Sequence, residues 1–191
     1  MTHHPNLKIL AFVGLPGAGK STAVDYLTDK GHPKVYFGGI VLDAMRHAGL
    51  DINEHNEKRF REEIREKEGK DFVVKRIIDQ IHHLADAGQH HIVADGLYTW
   101  TEYKLLKREF PGELTVVAVV APKHLRYHRL STRAIRPLNE KEASERDWAE
   151  IENLEKGGPI AIADFYVSNN NDVDHFHKQI DVITDHLEFN S

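Results

Sequence analysis

Eight consecutive residues constrain this chain more than anything else in it: Gly14-Leu15-Pro16-Gly17-Ala18-Gly19-Lys20-Ser21. They fit G-x-x-x-x-G-K-[ST] without a mismatch. Before them lies a short apolar, β-branched run, Lys8 to Val13, that reads as a buried strand; after them Ser21 to Thr28 reads as a helix. In that setting glycines let successive backbone N–H groups turn inward around phosphate oxygens, and the helix start adds its positive end. Lys20 then reaches the β- and γ-phosphates, and the Ser21 hydroxyl ligates Mg²⁺. The expectation is a nucleoside triphosphate site made by Gly14, Pro16, Gly17, Ala18, Gly19, Lys20, Ser21 and Thr22.

The rest of the chain alternates strand and helix. Val35 to Phe37, His91 to Ala94, Leu114 to Val120 and Phe165 to Val167 read as further strands, the fourth-strand run being apolar throughout, as a strand covered on both faces must be. Ile40 to Ala48, Asn56 to Glu68 and Lys123 to Arg133 read as helices. Val74, Ile77, Ile78, Ile81 and Leu84 share one face of a helix over Asp71 to Ala87, which Gly88 ends. Thr99 with Glu102, and Asn139 with Glu142, have the spacing of capping boxes opening two more helices. Val173, Phe176, Ile180, Ile183 and Leu187 stripe a terminal one. This pattern predicts a three-layer α/β/α fold with a five-stranded parallel sheet, in one domain spanning residues 1–191.

Composition narrows the function. The 191 residues include no cysteine, which excludes disulfides, thiolate catalysis and Cys-based zinc sites. No apolar stretch approaches the ~20 residues of a membrane span, and residues 1–8 carry no targeting pattern, so a cytoplasmic protein without a membrane partner is expected. A formal net charge of −5 argues against a nucleic-acid partner. Residues 123–146 nevertheless carry a local +4 and residues 147–191 a local −8. A positive segment in an acidic chain points to a small anionic ligand.

Among phosphate-loop proteins, a GTPase would carry an N-K-x-D box, and Asn139-Glu140-Lys141-Glu142 is not one. An ABC or AAA+ ATPase would need more residues and other motifs. Small-molecule kinases remain, with ATP and Mg²⁺ as donor and cofactor. They need an arginine-rich lid, because the transferred phosphoryl spreads charge over its oxygens and must be shielded from water. Arg126, Arg129, Arg133 and Arg136 recur at three- and four-residue steps, with Arg146 beyond, so residues 123–146 read as that lid.

The loop, the strand-end Asp95-Gly96, the Arg129/Arg133 pair and the Ala163-Asp164-Phe165-Tyr166-Val167-Ser168-Asn169 segment resemble the nucleoside monophosphate kinase and dephospho-CoA kinase superfamily. The chain is most similar to a largely archaeal family of dephospho-CoA-kinase-like proteins. That likeness also takes in Arg61-Glu62-Glu63, Glu68-Gly69, Pro122-Lys123 and Glu145-Arg146-Asp147. It implies that Arg129 lies against adenine, that Asn169 borders it, and that Arg133 approaches the phosphates. Arg136 and Arg146 would close on the phosphoryl in flight. Asp95 would hold a Mg²⁺-bound water or orient the acceptor. Residues 38–76 would bind a nucleotide-like acceptor, with Arg46, Arg61 and Arg65 for its phosphate. Independently of the resemblance, Tyr98, Trp100 and Tyr103 follow the third strand, where a planar base could stack on one of them, with Tyr98 assigned to the substrate side and ordinary packing the alternative.

The chain departs from both patterns it resembles. Dephospho-CoA kinases end the second strand on an aspartate; here Phe37-Gly38-Gly39 stands there, and Asp43 follows about a turn later. Leu42 stands where the related archaeal pattern has arginine, and Leu97-Tyr98 where adenylate-type enzymes place one after Asp-Gly. A phosphate acceptor needs no general base, whereas a hydroxyl benefits from one, which favours a nucleoside monophosphate over dephospho-CoA. A regulatory ATPase without kinase chemistry is the alternative class. The fourteen histidines lack metal-ligand spacing and read as solvated or satisfied; Asp25, Asp29 and Glu54 read as surface charges, and Trp148 as a packing residue.

Overall fold

The computed structural model describes residues 4–52, 54–97, 99–134 and 137–190, without the side chains of Glu54, His55, Glu57, Lys58, Arg61, Glu62 and Arg65. The candidates Tyr98 and Arg136, and the side chains of Arg61 and Arg65, therefore lie outside the described residues. The elements are β1 (Lys8–Val13), α1 (Lys20–Asp29), β2 (Lys34–Tyr36), α2 (Phe37–His47), α3 (Glu54–Glu68), α4 (Phe72–Asp86), β3 (His91–Asp95), α5 (Trp100–Glu109), β4 (Leu114–Val120), α6 (Lys123–Thr132), α7 (Glu140–Glu152), α8 (Gly157–Ala161), β5 (Phe165–Ser168) and α9 (Val173–His186).

Five parallel strands run in the order β2-β3-β1-β4-β5. Alternation along β1 divides the core between the two faces of the sheet. Ile9, Ala11 and Val13 face α2, α4 and α5 through Ile40, Met45, Val74, Ile77 and Leu106. Leu10 and Phe12 face α1 and α9 through Val24, Leu27, Phe176 and Ile180. Helices on both faces make the three layers that the alternating pattern predicts. The chain first builds one side of β1, with β2 and β3, and then crosses to the other for β4 and β5. Strand order therefore reverses at β1, and the crevice beyond its carboxyl end is where such sheets bind ligands.

Local signals hold where they are strong. Both capping boxes form: Thr99 Oγ1 accepts from Glu102 N–H at 3.0 Å and Asn139 Oδ1 from Glu142 N–H at 3.0 Å, each glutamate returning a bond to the cap residue. The second strand is a correction. It ends at Tyr36, and Phe37, expected as strand, instead opens α2 with its ring buried. Gly38 and Gly39 sit in the first turn under the Tyr36 ring: a β-carbon on Gly38 would come 2.5 Å from Tyr36 Oη. Trp148 is a second correction, since it is 64% exposed. The buried residues of α7 are Ala143, Asp147 and Glu150, so its inner face is committed to charge pairs and the indole is left outside.

Candidate phosphate and acceptor sites

Residues 14–19 join β1 to α1 at the reversal point. Gly17 and Gly19 have φ of 76° and 107°, the left-handed region open to glycine. Side chains there would collide: a β-carbon on Gly17 would lie 2.6 Å from the Arg126 carbonyl, and one on Gly19 2.0 Å from Asn169 Nδ2. The loop is thus packed on its outer side by α6 and by the end of β5. Gly19 caps α1 with no side-chain bond, so no side chain competes with a ligand for the N–H groups of the first turn. Ser21 and Thr22 are exposed at that turn.

Lys20 folds back over the loop, donating to the Gly14 carbonyl at 2.7 Å and the Leu15 carbonyl at 3.3 Å. Burial pulls its pKa from the ordinary 10.5 to about 8; the Lys156 and Arg146 charges push the same way, and Glu150 and Asp95 oppose them. Asp95 ends β3 in register with Phe12 of β1, beside the loop. Burial raises its carboxyl pKa, against the pull of Lys34 and Lys20 and with a smaller push from Asp25. The structure therefore brings Lys20, Asp95 and Arg146 into one electrostatic neighbourhood.

The arginine segment divides. Arg126, expected on a common lid face, is buried: its guanidinium grips Asp147 of α7 at 2.9 and 2.7 Å and donates to the Pro16 carbonyl at 3.0 Å. Arg129 donates to the Asn169 carbonyl at 2.9 Å and to the Gly17 carbonyl at 3.4 Å. Asn169 in turn donates from Nδ2 to the Ala18 carbonyl at 2.9 Å. Arg129 and Asn169 thus meet at residues 17 and 18 of the loop. Arg133 is half-buried where α6 ends in extended backbone. Arg146 is half-exposed on α7 and touches Glu150 at 3.5 Å, and Glu150 is bonded to the buried Lys156.

The other side of β1 is built differently. A cavity of about 1060 Å³ opens between α2, α3, α4 and the start of β2. Its apolar lining includes Val35, Ile40, Ala44 and Phe60; Lys34 and Arg76 are among its cations. Arg76 binds Glu68 at 3.0 Å, while its buried Nη1 has no hydrogen-bond partner among the described residues. Arg46 is exposed in the last turn of α2, paired with Asp43 at 2.6 Å. The structure does not place it among the cavity-lining residues, although Asp43 is one of them.

Sequence reasoning missed the Arg126–Asp147 clamp and the Glu150–Lys156 pair. The i, i+4 spacing of Arg146 and Glu150 was a visible signal; Lys156, reached through a turn after α7, left none.

This parallel sheet, with a phosphate loop at its central strand, is the P-loop kinase fold. Solved structures share it: a shikimate kinase from Acinetobacter baumannii (TM-score 0.56, 19% identity, 94% of each chain) and a gluconokinase from Sinorhizobium meliloti (TM-score 0.57, 14% identity, 100% of this chain and 99% of that one). TT1252 from Thermus thermophilus is similar as well (TM-score 0.60, 16% identity, 95% and 98%). The family model described as an AAA domain matches residues 10–153, consistent with a P-loop domain. The chain belongs to the UPF0200 family. A UPF0200 protein of Sulfurisphaera tokodaii is 33% identical over 175 residues, covering 89% of this chain and 92% of that protein. One from Thermococcus onnurineus is 28% identical over 182 residues, covering 94% and 97%. A UPF0200/UPF0201 protein of Archaeoglobus fulgidus is 31% identical over 182 residues; the alignment covers 91% of this chain and 54% of that relative, so the chain spans about half its length.

Proposed function

We propose that this protein is an ATP- and Mg²⁺-dependent phosphotransferase that moves the γ-phosphoryl group to a small nucleotide-like acceptor, a nucleoside monophosphate ahead of dephospho-CoA. The observation that supports it is the glycine loop at the end of β1, its shape held from outside and its Lys20 folded over it, under the charge influence of Asp95 and Arg146. The acceptor oxygen attacks the γ-phosphorus in line, the bond from that phosphorus to the β–γ bridging oxygen breaks, and ADP leaves. Lys20 leaves its own loop carbonyls for the β- and γ-oxygens. The exposed Ser21 hydroxyl and the Asp95 carboxylate suit an oxygen-seeking cation and would hold Mg²⁺, which would supply charge neutralisation. Arg133 and Arg146 stabilise the transferred group, with Arg136 assigned to the same lid; Arg129 and Asn169 border the base. All of this is positioning and electrostatics, with no covalent intermediate.

The cavity at α2–α4 supports the acceptor assignment. Its apolar lining suits a planar base, and Lys34, which pulls on Asp95, links it electrostatically to the reacting end. We assign residues 38–76 to acceptor binding and 123–146 to the lid, with Arg46, Arg61, Arg65 and Tyr98 on the acceptor side. A second reading, a regulatory ATPase, draws on Asp43: the first carboxylate after β2 along the chain is already paired with Arg46.

The test is ADP release from Mg²⁺-ATP against AMP, CMP, UMP, GMP, dTMP, their deoxy forms and dephospho-CoA, with product mass determined. An acceptor that stimulates turnover far above the ATP-only rate is the expected result. A flat panel beside measurable ATP binding would favour the regulatory reading.

A further inference from the structure

Lys156 is among the most enclosed side chains in the structure, at 1% exposure, and it is a cation. It precedes the short helix α8, its N–H donating to the Glu150 carbonyl at 3.1 Å, and its ammonium bonds Glu150 Oε2. Glu150 is itself buried on the inner face of α7. Its other oxygen, Oε1, lies 3.5 Å from Arg146 Nε, one turn back on the same helix. One buried carboxylate thus stands between two cations, held closely by Lys156 and at the outer limit of hydrogen bonding by Arg146. The arginine side chain is half in solvent.

That division has a physical consequence. A buried carboxylate must be paired, and it takes whichever cation it is offered. With Lys156 in place Glu150 is satisfied from within, and Arg146 keeps its guanidinium for an incoming anion. Without Lys156, the Arg146 guanidinium, already 3.5 Å from Oε1, is the group the carboxylate would pull in, and pairing would hold it at Glu150 instead of leaving it for an anion. At 1% exposure Lys156 cannot itself touch a ligand. Burial lowers its pKa and Glu150 raises it, as a buried charge held by a carboxylate requires; Arg146 lowers it further and Glu102 opposes.

We infer that Lys156 is a positioning residue: by occupying Glu150 it keeps Arg146 available to the transferred phosphoryl group. This rests on the phosphotransferase reading above and gives Arg146 its supporting shell. The pair also ties α8, beneath Trp100, to the helix that carries Arg146: a β-carbon on Gly158 would come 2.8 Å from the Trp100 ring.

The test measures what removing Arg146 costs in three backgrounds. In the otherwise unchanged protein and in Lys156→Met/Glu150→Gln, where both buried charges are gone, Arg146→Ala should lower acceptor-stimulated kcat by the same factor, about 100-fold. In Lys156→Met alone, kcat should already be down by about that factor with the ATP KM within about threefold, and Arg146→Ala should add little. A purely structural Lys156 would lower Tm and leave the Arg146→Ala factor the same in every background, which overturns the inference. So does a Lys156→Met protein with full kcat. If Lys156→Met does not fold, Lys156→Gln, which keeps a hydrogen bond to Glu150 without the charge, carries the same comparison. A wild-type protein that no acceptor stimulates overturns the phosphotransferase reading itself; stimulation with unequal Arg146 factors in wild type and double variant overturns the positioning role alone.

Discussion

The two sides of β1 hold their charges in opposite ways. On the phosphate side Arg126 and Asp147 are buried together against the Pro16 carbonyl, and Glu150 is buried with Lys156. On the cavity side Arg46–Asp43 and Arg59–Glu63 are exposed pairs around an open cavity. A buried pair fixes geometry, because neither partner can leave without stranding the other in a medium that solvates charge poorly. An exposed pair competes with water and fixes little. The half of the domain around the phosphate loop is held in shape by buried pairs, and the half around the open cavity, to which we assign the acceptor, is not.

The largest effect expected is at the loop. Lys20→Met should remove productive triphosphate use, lowering kcat/KM by at least about 100-fold; unchanged turnover would refute the site. The same variant should be more stable than wild type. Lys20 is held near pKa 8 in the fold against 10.5 in the unfolded chain, so the unfolded state keeps the proton more strongly. Wild type carries that penalty in full below pH 8 and loses it as pH rises toward 10.5. The Tm advantage of Lys20→Met should therefore be greatest below pH 8 and shrink above it, and a pH-independent difference would contradict the assigned burial.

Breaking the phosphate-side clamp comes next. Asp147→Ala leaves Arg126 buried and unpaired, and should cost about 3–5 kcal/mol by denaturant titration. The equivalent change across the sheet, Asp43→Ala, should cost about 0–1 kcal/mol; equal losses would erase the contrast between the two sides. Arg133→Ala should lower kcat while leaving most of the ATP affinity, and an unchanged kcat would remove Arg133 from the lid. The smallest kinetic change should follow from filling the cavity. Ala44→Trp is expected to raise the acceptor KM by about tenfold with ATP KM unaltered, and an unmoved acceptor KM would place that ligand elsewhere.

The parts of this protein legible in its sequence are those whose physics is local. A glycine loop between strand and helix, two capping boxes and the strands β1, β3, β4 and β5 each act within a few residues, and each stands within a residue of where the pattern places it. The end of β2 misleads because Val35-Tyr36-Phe37 is strand-forming by type, while burial of the Phe37 ring as a helix starts decides the outcome. Trp148 misleads because an indole is ordinarily the buried side of a helix, and here Asp147 and Glu150 have taken that side for their partners. Lys156 had no local signal, since its meaning depends on a carboxylate reached through a turn. The lid face misleads in the same way: arginines at regular spacing predict a shared surface, and Arg126 is instead claimed by a residue 21 positions on.

Asn169 donates to the Ala18 carbonyl from 151 residues further along the chain, and Gly19 has no side chain because that amide occupies the space. The phosphate loop is written in eight adjacent letters, yet its finished form waits on the last strand. As the chain leaves the ribosome, the motif emerges early and remains an incomplete cradle until residue 169 has been made and docked. Nucleotide capture by the growing polypeptide would then require β5, so that a fragment carrying the whole signature but ending before β5 would bear the sequence of a binding site without its shape.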